Sequence, residues 1–226
     1  MSIIQERLAL AIAKGACASA VEELTEKTDE EILKIIKEDF NYLSGLLEKN
    51  ICTPQELFSY GLAKELKGEV EEINGGFWVC LTTATVGKVT GGRVVCLNGS
   101  TPTIGTVTDG GLVTCWDGSN PNIGTVTGGW VDCNPGSNPT IGTVTDGGLV
   151  TCLNGSTPTI GTVTDYVVVT CRNGSKPNIG TVTHYGVVVC RNGSNVLIHT
   201  AKPEAEIRLY DGAVVKIEND ERRKSA

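Results

Sequence analysis

The hydrophobic and polar positions of the chain follow two different patterns. In residues 1–67 apolar residues recur every three or four positions, which is the spacing of one face of a helix. Thr28 with Glu31, and Thr53 with Glu56, each place a hydroxyl three residues before a carboxylate, as a capping box at a helix start does. The pattern predicts short helices over residues 3–14, 19–27, 32–37, 39–49 and 54–66.

Residues 78–200 instead repeat with a period of 18 or 19 residues. The pentapeptide Ile-Gly-Thr-Val-Thr begins at Ile104, Ile123, Ile141, Ile160 and Ile179, and a degenerate copy begins at Val86. Cysteines keep the same spacing, at Cys96, Cys115, Cys133, Cys152, Cys171 and Cys190. Each repeat also carries a turn pair, Asn-Gly in four of the six, directly before a serine.

The alternation within one repeat predicts which side chains point inward. Successive residues of a strand face opposite sides, so Val150 and Cys152 share one side and Thr151 faces the other. Apolar valine and cysteine belong in the core. In the pentapeptide the same logic turns Val144 inward, and glycine permits a bend that also turns the isoleucine inward. The two threonines that flank each valine must then face solvent.

A repeat this short cannot bury a hydrophobic face alone, but it can when stacked on its neighbours. The sequence therefore predicts a mainly β fold, a single-stranded β-solenoid of six to seven coils of 18–19 residues with a small N-terminal α-helical domain. We predict a helical capping domain at 1–76 that covers the first coil, and solenoid repeats at 77–200. Residues 201–226 are predicted to form a C-terminal β cap, either a hairpin or a final half-coil, with a charged tail.

Composition and charge narrow the classes of partner. The formal charge is −7, and all of it lies in residues 1–77, which hold 8 basic and 15 acidic groups. Without a basic patch, no nucleic-acid binding is expected. No apolar run approaches the roughly 20 residues of a membrane-spanning helix, so no membrane partner is expected. A protein partner or self-association is the prediction that remains.

The compartment decides the state of the cysteines. Residues 8–13, followed by Ala16, Cys17 and Ala18, have the outline of a secretory signal peptide. Lys14 interrupts this segment, and its apolar run is only six residues. We therefore predict a cytoplasmic protein with reduced thiols, with secretion as the alternative.

The repeat cysteines are predicted to be small core residues. Parallel side chains on neighbouring rungs lie too far apart for relaxed disulfides, and a linear row of thiols cannot surround a zinc ion tetrahedrally. Redox or metal chemistry is the alternative. The Asn-Gly-Ser triplets match glycosylation sequons but equally match turns that need positive φ. No cofactor and no metal is predicted.

The segment Ile-Gly-Thr-Val-Thr-Asp resembles the hexapeptide motif of left-handed β-helix acyltransferases. Only one hexad per coil conforms, where that family shows about three. The two histidines, His184 and His199, are separated by less than one coil. The resemblance carries over no catalytic residue, so an acyltransferase-like enzyme is the second alternative function. We predict that the chain is not an enzyme.

The stacked Thr-x-Thr pairs are the candidate functional residues. They are Thr106 and Thr108, Thr125 and Thr127, Thr143 and Thr145, Thr162 and Thr164, and Thr181 and Thr183. This array is similar to that of hyperactive insect antifreeze solenoids, in which a flat grid of threonines orders water and binds ice. Thr also suits any exposed strand. The prediction is therefore a non-enzymatic structural or interaction protein, with ice binding as the alternative.

Overall fold

The computed structural model describes residues 3–13, 24 and 27–222. The chain divides into two compact units, Met1–Glu65 and Leu66–Ala226. The first unit is helical and the second consists of β-strands and turns. The change of sequence pattern thus coincides with a change of structure.

The described helices of the first unit are α1 (Ile3–Ala13), α2 (Asp29–Glu38), α3 (Phe40–Glu48) and α4 (Pro54–Ser59). Both predicted capping boxes are present. The Thr28 amide donates to Glu31 Oε2 at 2.9 Å, and this bond lowers the pKa of Glu31. Helix α4 is shorter than predicted, because the chain enters a strand at Lys64. The predicted helix over 19–27 lies largely outside the described residues, as does the signal-like segment at Cys17.

The second unit is a parallel β-solenoid, as predicted. Its strands are β1 (Lys64–Cys96), β2 (Thr103–Val107), β3 (Gly111–Cys115), β4 (Asn122–Thr127), β5 (Trp130–Cys133), β6 (Thr140–Thr145), β7 (Leu149–Cys152), β8 (Thr159–Val163), β9 (Val168–Cys171), β10 (Asn178–Val182), β11 (Val187–Cys190), β12 (Asn195–Ala201), β13 (Glu206–Leu209) and β14 (Val214–Asp220). They form one sheet of 14 strands in the order β13-β11-β9-β7-β5-β3-β1-β2-β4-β6-β8-β10-β12-β14. The long β1 starts both stacks, and the chain winds through about seven coils.

The register matches each residue with its equivalent one coil later. Ile141 pairs with Ile160 and Val144 with Val163 in one stack, and Cys152 pairs with Cys171 in the other. The repeat isoleucines, valines and cysteines are completely buried. Burial of these identical columns excludes the apolar surface from water and is the main driving force for stacking.

The strand region begins earlier than the predicted boundary between residues 76 and 77. Residues 64–76 belong to β1, and their inward side chains Leu66 and Ile73 join the solenoid core. The Thr90 hydroxyl donates to the Ile73 carbonyl of the preceding rung at 3.5 Å. The sequence pattern does not reveal this first rung, because its outward positions carry charged residues where the later coils carry threonine.

The cysteine column also extends beyond the predicted six residues. The Leu97 amide donates to the Cys80 carbonyl at 3.1 Å, as the Trp116 amide does to Cys96 one coil later at 2.9 Å. Cys80 thus occupies the same position as Cys96, one coil earlier, and it is completely buried. All eight described cysteines are free and buried, which agrees with the predicted reduced core.

The short third side of each coil carries two further buried columns. One consists of the serines that follow the turn pairs, Ser100, Ser119, Ser137, Ser156, Ser175 and Ser194, all completely buried. The other consists of Pro102, Pro121, Pro139, Pro158 and Pro177. Ser137 donates its hydroxyl to the Asn134 carbonyl at 2.7 Å, whereas the other five hydroxyls have no partner.

The position between the inward valine and cysteine was predicted to face solvent. Thr151 and Thr170 there are half-buried. Val95, Thr114 and Val189 are instead buried, with 0%, 4% and 8% of their surface exposed. The prediction is wrong for these three, since rungs on both sides cover much of an outward side chain.

The region after residue 200 continues the solenoid. Strand β13 pairs in parallel with β11, and β14 with β12. The hairpin alternative is therefore wrong, because a hairpin joins antiparallel strands. The half-coil alternative has the correct parallel pairing but is too short, because β13 and β14 extend both stacks and together form the last coil. Each of these last two strands has a neighbour on one side only.

Replacing Cys152 by serine should lower the free energy of unfolding by roughly 1–3 kcal/mol, because it buries a hydroxyl in an apolar column. The hydrogen bond with Cys133 and the burial of the thiol raise the pKa of Cys152, so the wild-type thiol stays protonated. Urea denaturation followed by circular dichroism measures the change. Thr151→Ser, on the half-buried outer side of the same strand, is the control, and an equal loss in both variants would contradict the burial argument.

Candidate functional site

The candidate site is the outer surface of the stack β2, β4, β6, β8, β10 and β12. We call it the threonine face and define it by the ten predicted residues Thr106, Thr108, Thr125, Thr127, Thr143, Thr145, Thr162, Thr164, Thr181 and Thr183. All ten are half-buried, and the valine between each pair is completely buried. The predicted orientation of the pairs is therefore confirmed.

The pairs align in two columns along the stack. Thr125 is in register with Thr106 before it and Thr143 after it, and the same matching continues through Thr162 and Thr181. Lys88 precedes this column and Thr200 follows it. Neighbouring hydroxyls in a column are thus separated by one strand spacing, about 4.8 Å, which is too long for a direct hydrogen bond.

Most hydroxyls of the threonine face have no hydrogen-bond partner among the residues that the structure describes. Thr145 donates to Asp165 Oδ2 at 3.0 Å, and the Thr183 hydroxyl lies 3.2 Å from His184 Nδ1. The other eight threonines of the face make no side-chain hydrogen bond within the described part of the chain. Their hydroxyls are free to bind water or a partner.

A third column was missed from the sequence. It consists of Thr103, Asn122, Thr140, Thr159 and Asn178, which precede the inward isoleucines. Four of the five are exposed, and Asn178 is half-buried. The outer surface of this stack therefore carries three columns, of which the threonine face is two, and the third column adds amide groups.

A column of glycines separates this third column from the threonine pairs. A Cβ built on Gly142 would lie 2.5 Å from the backbone oxygen of Gly124, and one on Gly161 would lie 2.4 Å from that of Gly142. Real Cβ atoms do not approach backbone so closely, so only glycine fits. The bend at glycine, expected from the sequence, lets inward isoleucine and inward valine stand three residues apart.

The groups expected of an enzyme lie apart from one another. His184 contacts Thr183, whereas His199 Nδ1 lies within hydrogen-bond distance of Glu218 Oε2, at 2.7 Å. Asp132 lies on the other stack, where burial raises the pKa of its carboxyl group. Among the residues that the structure describes, no cluster of three His, Cys, Asp or Glu side chains is arranged to hold a metal ion.

The helical unit contains a separate apolar cavity of about 320 Å³. Its wall includes Ile36, Ile51, Cys52 and Arg7, and the Arg7 guanidinium is paired with Glu56. Burial raises the pKa of Cys52 to about 11, so its thiol is protonated at neutral pH. The cavity therefore presents no ionised nucleophile from Cys52.

Comparison with known proteins finds no match among protein families, curated proteins or solved structures. No helix among residues 3–13, 24 and 27–222 is both long and apolar enough to cross a lipid bilayer.

Proposed function

We propose that this chain is a non-enzymatic structural or interaction protein whose solenoid presents the threonine face to a protein partner, most simply a second copy of itself. The observation that carries the proposal is the regular array of hydroxyls without internal partners. Eight unpaired hydroxyls, fixed on the rungs of a hydrogen-bonded scaffold, are positioned before any partner arrives. Binding through them loses little conformational entropy, which favours association.

Charge is consistent with a protein partner. The ten threonines are neutral, and residues 78–200 carry equal numbers of acidic and basic groups. Such a surface gives no electrostatic attraction to nucleic acid or to an anionic membrane. The eight described cysteines are buried and unpaired, which is consistent with a reducing compartment, and we propose that this compartment is the cytoplasm.

Ice binding is the second candidate, and the alignment of the columns favours it. A flat grid of hydroxyls with one repeat along the strand and another along the solenoid axis suits an ordered layer of water. The in-register pairing of Thr106, Thr125 and Thr143 produces such a grid. An acyltransferase-like enzyme is the least supported candidate, because the described histidines each contact another group and do not share a site.

One substitution separates the first two candidates. Thr143 lies on the central rung of the five, so Thr143→Lys should disturb the face most while changing the free energy of unfolding by no more than about 0.5 kcal/mol. For a self-association surface, sedimentation equilibrium should show weaker association of the variant. For an ice-binding surface, the variant should instead lose thermal hysteresis that the wild-type protein shows.

The control is Thr151→Lys, which places the same charge on the other stack of the same coil. It should leave both association and freezing behaviour as in the wild type. A wild-type protein that stays monomeric and shows no thermal hysteresis at millimolar concentration would contradict both roles of the threonine face.

A further inference from the structure

A second feature of the solenoid, separate from the threonine face, is a pair of exposed tyrosines on consecutive coils. Tyr166 and Tyr185 occupy equivalent positions in the turns that follow β8 and β10. Their ring centroids are 5.1 Å apart and their planes differ by 8°, so the rings are stacked along the solenoid axis. They are 72% and 54% exposed. Large aromatic surfaces left in water are a common mark of a binding site.

The two tyrosines have a backbone conformation that suits glycine better than a large residue. Tyr166 has φ +61° and Tyr185 has φ +60°, in the left-handed region that disfavours side chains. The equivalent residue one coil earlier is Gly147, with φ +78°. Glycine meets the demand of this turn without strain. The two tyrosines therefore carry a conformational cost that a glycine at the same position would avoid, which indicates a role outside folding.

One face of the stack is open to a ligand. Tyr185 covers one face of the Tyr166 ring, and the opposite face is directed to the rung of Gly147, which has no side chain. A Cβ built on Gly147 would have no atom within 4 Å. A six-membered ring placed on that rung would stack on Tyr166 much as Tyr185 does on the other side.

Polar groups beside this position define the chemistry of the ligand. Asp146 is exposed and directly precedes Gly147 in the chain, and Asp165 is half-buried beside Tyr166. The Asp165 carboxylate accepts a hydrogen bond from Thr145 at 3.0 Å and keeps a free oxygen. Carboxylate oxygens accept hydrogen bonds from hydroxyl groups and repel anions. A flat face that carries C–H bonds together with outward hydroxyls is a property of sugar rings.

We propose that the Tyr166 ring and the adjoining Gly147 rung bind a neutral pyranose, a sugar ring that stacks on Tyr166 and donates hydroxyl hydrogen bonds to Asp146 and Asp165. The site lies on the turns of the solenoid, and it does not depend on any role of the threonine face. No bond is made or broken in this binding.

The full chain should be titrated with neutral hexasaccharides of glucose and of N-acetylglucosamine, while the ring signals of Tyr166 are followed by NMR. We expect one of these sugars to shift the Tyr166 signals saturably at millimolar concentration. Tyr166→Gly introduces the residue that the preceding coil has at the equivalent position, Gly147. The variant should therefore fold at least as stably as the wild type. It should bind the sugar about tenfold more weakly or not at all. Polygalacturonate oligomers, which are anionic, should bind more weakly than the neutral sugars.

Two further variants test the location of the site. Gly147→Tyr places a third ring on the open face of Tyr166 and should abolish the sugar-induced shift of the Tyr166 signals, although Tyr166 remains. Tyr210→Ala removes an exposed tyrosine that contacts Arg191 and should leave binding unchanged. Absence of any saturable shift with the neutral sugars, equal binding by Tyr166→Gly, or a response to free indole with none to sugars would each overturn the proposal.

Discussion

Replacing Gly142 by alanine is expected to disrupt the solenoid and to lower its free energy of unfolding by more than about 3 kcal/mol. The added Cβ would lie 2.5 Å from the backbone oxygen of Gly124 on the neighbouring rung. That oxygen cannot withdraw unless the two rungs separate, which breaks the hydrogen bonds between β4 and β6. Urea denaturation followed by far-ultraviolet circular dichroism measures the loss.

Gly155→Ala is the matched control, because it changes the same residue type in the same coil. Gly155 has φ +78°, but a Cβ built there meets no atom within 4 Å. Only the backbone strain remains, and it costs about 1–2 kcal/mol. Equal losses in the two variants would show that the contact between rungs is not what requires glycine at position 142.

Deleting the 19 residues 140–158, which make up one coil, is expected to leave the remaining solenoid folded. The deletion joins Pro139 to Thr159, and Thr159 is the register partner of Thr140, so the new junction repeats the old one. In the other stack Cys133 would pair with Cys171 in place of Cys152. Each coil contacts only its neighbours, so the loss should be that of one coil and its interface.

Deleting only residues 140–149 should abolish the fold, although fewer residues are removed. This shorter deletion eliminates β6 and leaves β4 without its partner in the next coil. Circular dichroism and thermal unfolding of the two deletion variants compare the outcomes. A folded half-coil deletion, or an unfolded full-coil deletion, would contradict the stacking of equivalent residues.

Most of the fold could be predicted because the solenoid is built from sequence repeats. A period of 19 residues aligns equivalent residues, and the preference of valine and isoleucine for the interior then decides which side is the core. Inward Val150 and Cys152, outward Thr143, and the parallel stacking all follow from these two facts. The capping boxes at Thr28 and Thr53 were equally readable, since their hydrogen bonds are local.

Three features of the solenoid were not predicted, because the residue types or spacings at these positions differ from those of the repeat pattern. The buried serines follow turn residues and are polar, so sequence patterns place them outside, yet all six are completely buried. Cys80 precedes Cys96 by 16 residues rather than 18 or 19, because the first coil is shorter. The column that contains Asn122 and Thr140 was missed because it mixes two residue types and because the bend at glycine interrupts the alternation of inward and outward side chains.

The site was predictable only in part. The orientation of the Thr-x-Thr pairs follows from strand alternation, whereas the Tyr166 and Tyr185 stack depends on turns whose residues change from coil to coil. A pattern found in two coils out of seven does not stand out from drift of the repeat. Only the alignment of the turns in space brings the two rings together.

The one-sided pairing of β13 and β14 sets the order in which amide hydrogens exchange with solvent. Opening a strand in the middle of the stack breaks ladders on two sides, whereas opening β14 breaks only its ladder with β12. Amides of the last coil should therefore exchange fastest, and protection should rise steadily from β14 towards β6. The free energies of opening would then form a gradient along the solenoid axis, with no single value for the whole unit.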